Sequence, residues 1–240
     1  MKVDILAFAA HPDDVELSCS GTIAKHIAMG KKAAVVDFTQ GELGSRGTAE
    51  LRLKEAAASA KILGLSAREN LGFRDGFFKN DEQHQLEVIK MLRKYRPDIV
   101  LANAPYDRHP DHGRAAKLVE ESCFYSGLKM IATEINGQKQ EAWRPRLVLN
   151  YIQSVYHKPD LVMDISSQMQ TKLSAIAAFS SQFNTGKSSD EKEQTFISTP
   201  QFMDFIKARA SEYGQLIEVQ YAEGFLSKRY LGVKDLTGLI

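Results

Sequence analysis

The strongest constraint on the fold is an alternation of short, nearly unbroken apolar runs with segments of helical spacing. Val3 to Ala9 (VDILAFA) is mostly apolar and stops at His11-Pro12, which reads as a strand buried on both faces. Leu17 to Met29 places Ile23, Ile27, Ala24 and Ala28 at helical spacing, and Gly30 supplies the stop. Ala33 to Phe38 (AAVVDF) is a second strand, followed by a glycine-rich loop, Gly41 to Gly47. Thr48 then caps a helix from Ala49 to Leu63; Leu51 stands where a capping box needs Glu or Gln, so the cap is a plain one. Arg68 to Leu71 reads as a short strand. A helix starts at Asp81 and ends near Tyr95, before Arg96-Pro97, and Asp98 to Ala102 (DIVLA) is a further strand. Strand, helix, strand, helix with short turns predicts a parallel sheet covered on both faces.

Residues 126–240 are less regular than residues 1–125 and read as completing the sheet and the cleft of one domain spanning 1–240. Arg146 to Tyr151 and Leu161 to Ile165 read as strands, Lys172 to Ser180 and Phe202 to Val219 as helices, and the polar stretch Phe183 to Pro200 as a mobile loop. The expected class is therefore α/β, a Rossmann-like, mostly parallel sheet with helices on both faces. In such sheets ligands bind at the carboxyl ends of the strands.

Charge narrows the function. Lys and Arg number 31 and Asp and Glu 30, a formal net charge of +1, with no basic stripe of the kind that grips phosphates, so nucleic acid is not an expected partner. Ile5 to Ala10, the longest apolar stretch near the N-terminus, is far shorter than the roughly 18 residues of a membrane span, and it lacks a basic flank and a cleavage site. Two cysteines, Cys19 and Cys123, can build neither a disulfide framework nor a thiolate zinc site and read as buried, inert thiols. The expectation is a cytoplasmic protein in which histidines and carboxylates do any metal binding.

Two tetrads answer to that expectation: His11-Pro12-Asp13-Asp14 and His109-Pro110-Asp111-His112, each just after an apolar strand. Either alone reads as a proline-fixed turn with a capping Asp. Two at strand ends, holding three of the six histidines, read as a site. A catalytic zinc keeps about three protein ligands and leaves a position open for water. His11 and Asp14, three residues apart, can converge on one point, and the second tetrad supplies candidates for the third ligand. Asp13, beside a ligand but pointing elsewhere, suits a general base. A histidine outside the ligand set, oriented by an adjacent Asp, suits the oxyanion and the leaving amine. These residues alone do not decide which histidine of the second tetrad binds metal.

AHPDDVE (Ala10 to Glu16), GTIA (Gly21 to Ala24) and DRHPDHG (Asp107 to Gly113) resemble the zinc-dependent N-acetylglucosaminyl de-N-acetylases, the LmbE-like family that includes GlcNAc-phosphatidylinositol de-N-acetylase. TQGELGSRGTAELR (Thr39 to Arg52), SQFNTG (Ser181 to Gly186), HKPD (His157 to Asp160) and YAEGFLSK (Tyr221 to Lys228) are most similar to the bacillithiol branch, whose enzymes deacetylate N-acetyl-glucosaminyl-malate. The resemblance implies His11, Asp14 and His112 as ligands of one Zn2+ per chain, Asp13 as base, and His109 with its partner Asp111 as the oxyanion and leaving-group pair. It also implies Arg52 and Asp75 as contacts to the sugar or aglycone, and a homo-oligomer. Arg108 is a candidate for the malate carboxylates, since a guanidinium suits bidentate recognition. His and carboxylate ligands suit Fe2+ as well as Zn2+. Arg52 has a plainer use, an ion pair with Glu55 one turn on. His26, His84 and His157 read as structural or solvent-exposed. Gly41 to Gly47 lacks the lysine of a phosphate loop and reads as an active-site loop. The rival readings are a deacetylase for a chitooligosaccharide and a non-catalytic metal- or sugar-binding protein on the same fold.

Overall fold

In the computed structural model, which describes residues 1–183, 196–199, 201–237 and 239, β1 (Ile5–Ala9) lies at the heart of the sheet with every side chain buried. Its alternate residues face opposite layers, as a strand's period of two requires. Leu6 and Phe8 pack with Val88 and Leu92 of α4 (Glu82–Tyr95) and Leu118 and Val119 of α5 (Pro110–Tyr125). Ile5, Ala7 and Ala9 pack with Val15 of α1 (Asp14–Ser18) and Ile23 of α2 (Ser20–Ala28). Each such fully buried aliphatic or aromatic side chain contributes about 1.5–3 kcal/mol.

β2 (Ala33–Thr39) and β3 (Ala67–Phe73) lie parallel on one side of β1, joined by α3 (Ala49–Leu63). The chain then crosses back to lay β4 (Ile99–Ala102) parallel on the other side of β1. With β7 (Leu147–Tyr151) parallel to β4, β8 (Leu161–Asp164) and β9 (Ala222–Leu226) complete the seven-stranded order β3-β2-β1-β4-β7-β9-β8. β5 (Glu134–Ile135) and β6 (Gln138–Lys139) form a separate small hairpin. The reversal between β1 and β4 is the topological switch point at which a crevice opens beyond the strand ends. Both tetrads leave the sheet there.

The structure bears out the mostly parallel α/β sheet and departs from the sequence reading in three places. The helix expected from Leu17 to Met29 is two helices, α1 and α2, broken at Cys19. The break has a distant cause: Glu223 accepts hydrogen bonds from the Gly21 and Thr22 amides (3.0 and 2.7 Å), satisfying donors that a helix start leaves free. Second, β9 (Ala222–Leu226), which the sequence did not signal, runs antiparallel between β7 and β8 (Leu161–Asp164). Third, the last two helices are α6 (Met169–Ala177), three residues earlier than read, and α7 (Phe202–Gln215), which stops short of Val219. Most of the expected loop, 184–195 and 200, lies outside the described residues.

A buried brace ties the later elements to the first tetrad. Lys172 of α6 donates to Glu223 of β9 (2.7 Å) and to the carbonyls of Glu16 and Leu17 in α1 (3.1 and 2.9 Å). Arg68 of β3 forks between Glu16 (2.6 Å) and Asp37 of β2 (2.7 and 3.0 Å), so α1 is fixed by charge from below as well.

Candidate active site

The chain leaves β1 through His11 and Pro12 and enters α1 at Asp14; Asp13, between them, takes φ 121°, ψ −20°. A non-glycine residue there is strained, and strain of this kind persists where the surroundings over-determine it, often at functional sites. Arg52, buried in α3, does the determining: it donates to Asp13 Oδ2 (3.2 Å), the Pro12 carbonyl (3.0 Å) and the Gly41 carbonyl (3.1 Å). Burial pushes the Asp13 carboxyl up to about 7, against the pull of Arg52. The second tetrad is simpler. His109 is the N-cap of α5, with Pro110 in the first turn where no amide proton is missed.

Across the switch point the two tetrads meet. Asp14 is fixed by the His11 amide and Asn103 Nδ2 on Oδ2 (3.0 Å each) and by Gln153 Nε2 on Oδ1 (2.8 Å). His112 Nε2 lies 3.2 Å from Asp14 Oδ1, and His11 Nδ1 lies 3.7 Å from Asp14 Oδ2. Each imidazole spends its other nitrogen on a different carboxylate: His112 Nδ1 on Asp107 (2.7 Å) and His11 Nε2 on Asp75 (3.0 Å), with Asp111 at 3.4 Å. Metal-ligating histidines carry such outer carboxylates. With both rings neutral and donating outward, two nitrogen lone pairs and a carboxylate face one another with no proton between them. The donor types of His11, Asp14 and His112 suit a divalent cation beside Asp14, the group that the sequence implies, although His11 and His112 face different oxygens of that carboxylate. Among the described residues, the groups with one ligand atom each all within 4.8 Å of one another are His11, His109 and His112, and His11, Asp75 and Asp111.

Short of a cation, protons do the same work. Burial works against it, yet Asp14 and Asp107 push the His112 imidazole up to about 9. Burial likewise opposes charge on His11, but Asp111, Asp14 and Asp75 hold it well above its ordinary value. Burial also disfavours the Asp14 carboxylate, and His112 and His11 nevertheless keep it well below the usual range. His109 differs: burial and the neighbouring His11 and His112 lower it.

The cluster opens into a cavity of about 1030 Å³, whose other wall comes from α7 through Phe202, Ile206 and Arg209. All nine residues expected at the site line this cavity or contact its lining, though not all as expected. The Asp111 carboxylate is not on the His109 ring; it accepts from Gly76 N (2.9 Å) and Arg114 and lies by His11. What His109 receives from Asp111 is the backbone amide, on Nδ1 (3.2 Å). That bond fixes the proton on Nε2. Arg52 is not paired with Glu55, which instead accepts from Ser180 and Ser181. Two of its guanidinium nitrogens are spent on Asp13 and on carbonyls, and both oxygens of Asp75 on His11 and the Leu43 amide (3.1 Å). Of the three expected substrate contacts, Arg108 is the one that offers an exposed side chain to the cavity. Sequence reasoning passed over Asp107, Asn103 and Gln153. A polar residue just past a strand's carboxyl end was the available signal for the last two.

The model of the GlcNAc-PI de-N-acetylase family (PIG-L) matches residues 6–123. Diacetylchitobiose deacetylase of Thermococcus kodakarensis is 30% identical over 231 residues, 92% of this chain and 81% of that one. The crystal structure of the conserved protein TT1542 from Thermus thermophilus superposes with a TM-score of 0.85 at 34% identity, covering 97% of this chain and 98% of that one. N,N'-diacetylchitobiose deacetylase from Pyrococcus horikoshii, complexed with its inhibitor MPG, superposes at 0.78 with 31% identity, covering 92% and 82%.

Proposed function

Because this chain belongs to the PIG-L, LmbE-like deacetylase family and is with it an amide hydrolase, we propose that it deacetylates a GlcNAc conjugate with an anionic aglycone, N-acetyl-glucosaminyl-malate. The observation that carries the chemistry is Asp13: a strained, desolvated carboxyl directly beside a three-residue ligand set, in a cavity that admits a sugar. A binding protein has no use for such a base. The anionic aglycone rests on Arg46, Arg108 and Arg209, three guanidinium groups that line the cavity beyond the cluster. Guanidinium pairs carboxylates bidentately, and a neutral chitooligosaccharide offers it nothing comparable.

A divalent cation held by His11, Asp14 and His112 would polarise the acetamide carbonyl and lower the pKa of a water to about 7. Asp13 takes one proton from the attacking water; its buried carboxyl, next to the ligand Asp14 and held by Arg52, is placed to accept that proton and to return it. His109, with Nδ1 occupied by the Asp111 amide, presents Nε2–H to the oxyanion that develops on the substrate carbonyl. Acquiring a second proton at Nδ1 would cost His109 that bond, so Asp13 is the group that returns the proton to the departing amine. The products are acetate and the free glucosaminyl amine.

Acetate release from GlcNAc-malate, diacetylchitobiose and free GlcNAc, each with and without a chelator, tests the reading. The expected result is chelator-sensitive release with the malate conjugate preferred. Preference for diacetylchitobiose, the substrate named for the relative that matches 92% of this chain, overturns the anionic aglycone and leaves the amidase chemistry standing.

A further inference from the structure

Resting on the amidase reading above, we infer that Glu42 is a positioning residue for the metal centre. From the glycine-rich loop it clasps the turn after β3 and so sets the Asp75 carboxylate against the ligand His11. It lies in neither tetrad.

The turn after β3 is held through two consecutive backbone amides. Gly76 N donates to Asp111 Oδ2 (2.9 Å), and Asp75 N donates to Glu42 Oε1 (2.7 Å). A bond of that length from an amide to a carboxylate is charge-assisted, roughly twice as strong as a neutral one. The Asp75 side chain then reaches two ways: Oδ1 lies 3.0 Å from His11 Nε2, and Oδ2 accepts the Leu43 amide (3.1 Å). Glu42 and Leu43 thus exchange bonds with Asp75, one through its amide and one through its carboxylate. That reciprocal pair fixes both the backbone and the side chain of the residue facing His11.

Glu42 can clasp only if its own backbone is held. Gly44 N closes a turn on the Gly41 carbonyl (3.0 Å), and the same carbonyl accepts from Arg52 (3.1 Å). Gly41 takes φ 64°, and a Cβ there would come 1.8 Å from an Arg52 nitrogen, so this approach requires glycine. Gln40 N, 3.3 Å from Glu42 Oε2, restrains the other carboxylate oxygen. Arg52 is also the partner of Asp13. One guanidinium therefore links the base to the turn from which Glu42 holds Asp75, and Asp75 holds His11. Glu42 is exposed, and ordering an exposed glutamate costs rotamer entropy. What offsets that cost is an outer carboxylate already aligned on a metal-ligating imidazole, the kind of partner that fixes ring orientation and raises metal affinity.

The test is Zn2+ affinity by competition with a chelator, with thermal unfolding of the metal-free protein beside it. The proteins are the wild type, Glu42→Ala, Glu42→Gln, Asp75→Ala and the double variant Glu42→Ala with Asp75→Ala. Loss of the direct partner in Asp75→Ala should weaken Zn2+ roughly 10- to 100-fold, and Glu42→Ala, one step further out, about 3- to 10-fold. Glu42→Gln keeps an oxygen for the Asp75 amide and should recover most of that. In the Asp75→Ala background, Glu42→Ala should change affinity by less than about twofold, because residues acting in series through one network are not additive. Unchanged affinity in Glu42→Ala overturns the proposal, as does an effect that persists in full without the Asp75 carboxylate. So do a Gln variant no better than Ala, a loss of metal-free stability that accounts for the whole change, and a wild type that binds no Zn2+. None of these readouts uses turnover. A wild type that binds Zn2+ with the expected differences but releases acetate from no GlcNAc conjugate fails the amidase reading alone.

Discussion

Residues 1–125 bring to the metal-facing cluster all of its imidazoles and carboxylates, from the ends of β1 and β4 and from the turn after β3. Residues 126–240 bring to it, among the described residues, one side-chain amide, Gln153, and two backbone amides, those of Ser154 and Val155 on Asp107. The second half contributes instead a brace, Lys172 with Glu223, and a wall, α7. Chemistry set by short tetrads is thus separated from the elements that hold those tetrads at their angle and shape what enters. The sharpest way to break this division is Asp13→Asn, which keeps the shape of the side chain and its place by Arg52 while removing the base. The expected outcome is a fall in kcat of about 10²- to 10⁴-fold with the metal still bound, read by acetate release and atomic absorption. Near-wild-type turnover would move the base elsewhere.

The second half is tested by Lys172→Ala. This leaves Glu223 buried without its cation and removes a donor from the last turn of α1. Removing one partner of a buried pair costs about 3–5 kcal/mol, and urea unfolding should show a loss of that size. The folded enzyme should keep its kcat in the cold. A collapse of kcat at unchanged stability would place the brace in the chemistry and erase the distinction between the halves.

Asp107→Asn has a smaller effect and lies on the boundary. Asp107 belongs to the first half by sequence, yet besides His112 Nδ1 it accepts the Ser154 and Val155 amides from beyond β7. Outer carboxylates of this kind contribute roughly 10- to 100-fold to metal affinity, so competition with a chelator should show a loss in that range. Thermal unfolding of the metal-free protein should show only a modest loss, about 1 kcal/mol, because Ser154 and Val155 donate to different oxygens of Asp107 and Asn keeps one of them. A large drop there would make Asp107 a splint between the halves before it is a partner of His112.

The same division explains what the sequence made legible. His11, Asp13, Asp14, His109, Asp111 and His112 stood out because each tetrad is contiguous and follows an apolar strand, so local spacing alone put them in one place. Asp111 was legible as a member but not in its role, since which ring it faces depends on how α5 rotates against the turn at Gly76. Gln153 lacked any motif, because its partner Asp14 lies on another strand end. β9 escaped for a physical reason too. Its residues AEGFL break the apolar run with Glu223, buried against the start of α2, and with Gly224, where a Cβ would come 3.0 Å from the Tyr213 ring. Both exceptions serve long-range contacts, and no window of neighbouring residues contains them.

The smallest expected effect concerns the wall. Arg108 comes from the loop after β4 and Arg209 from α7, so both halves lend guanidinium groups to the cavity; Arg209 also donates to the Ser154 carbonyl (2.9 Å). A dicarboxylate aglycone gives each of them a partner. Arg108→Ala and Arg209→Ala should then each raise KM for GlcNAc-malate by about tenfold, the worth of one charge-assisted hydrogen bond, and leave KM for free GlcNAc unmoved. The double variant carries the finer information. If the arginines grip different carboxylates, their effects add to within roughly 0.5 kcal/mol; if they share one, the second removal costs much less than the first. Additivity would mean that the halves divide the aglycone between them, one carboxylate each. Strong coupling would mean that the substrate draws both halves onto a single group, and the separation that holds for the chemistry would end at the cavity wall.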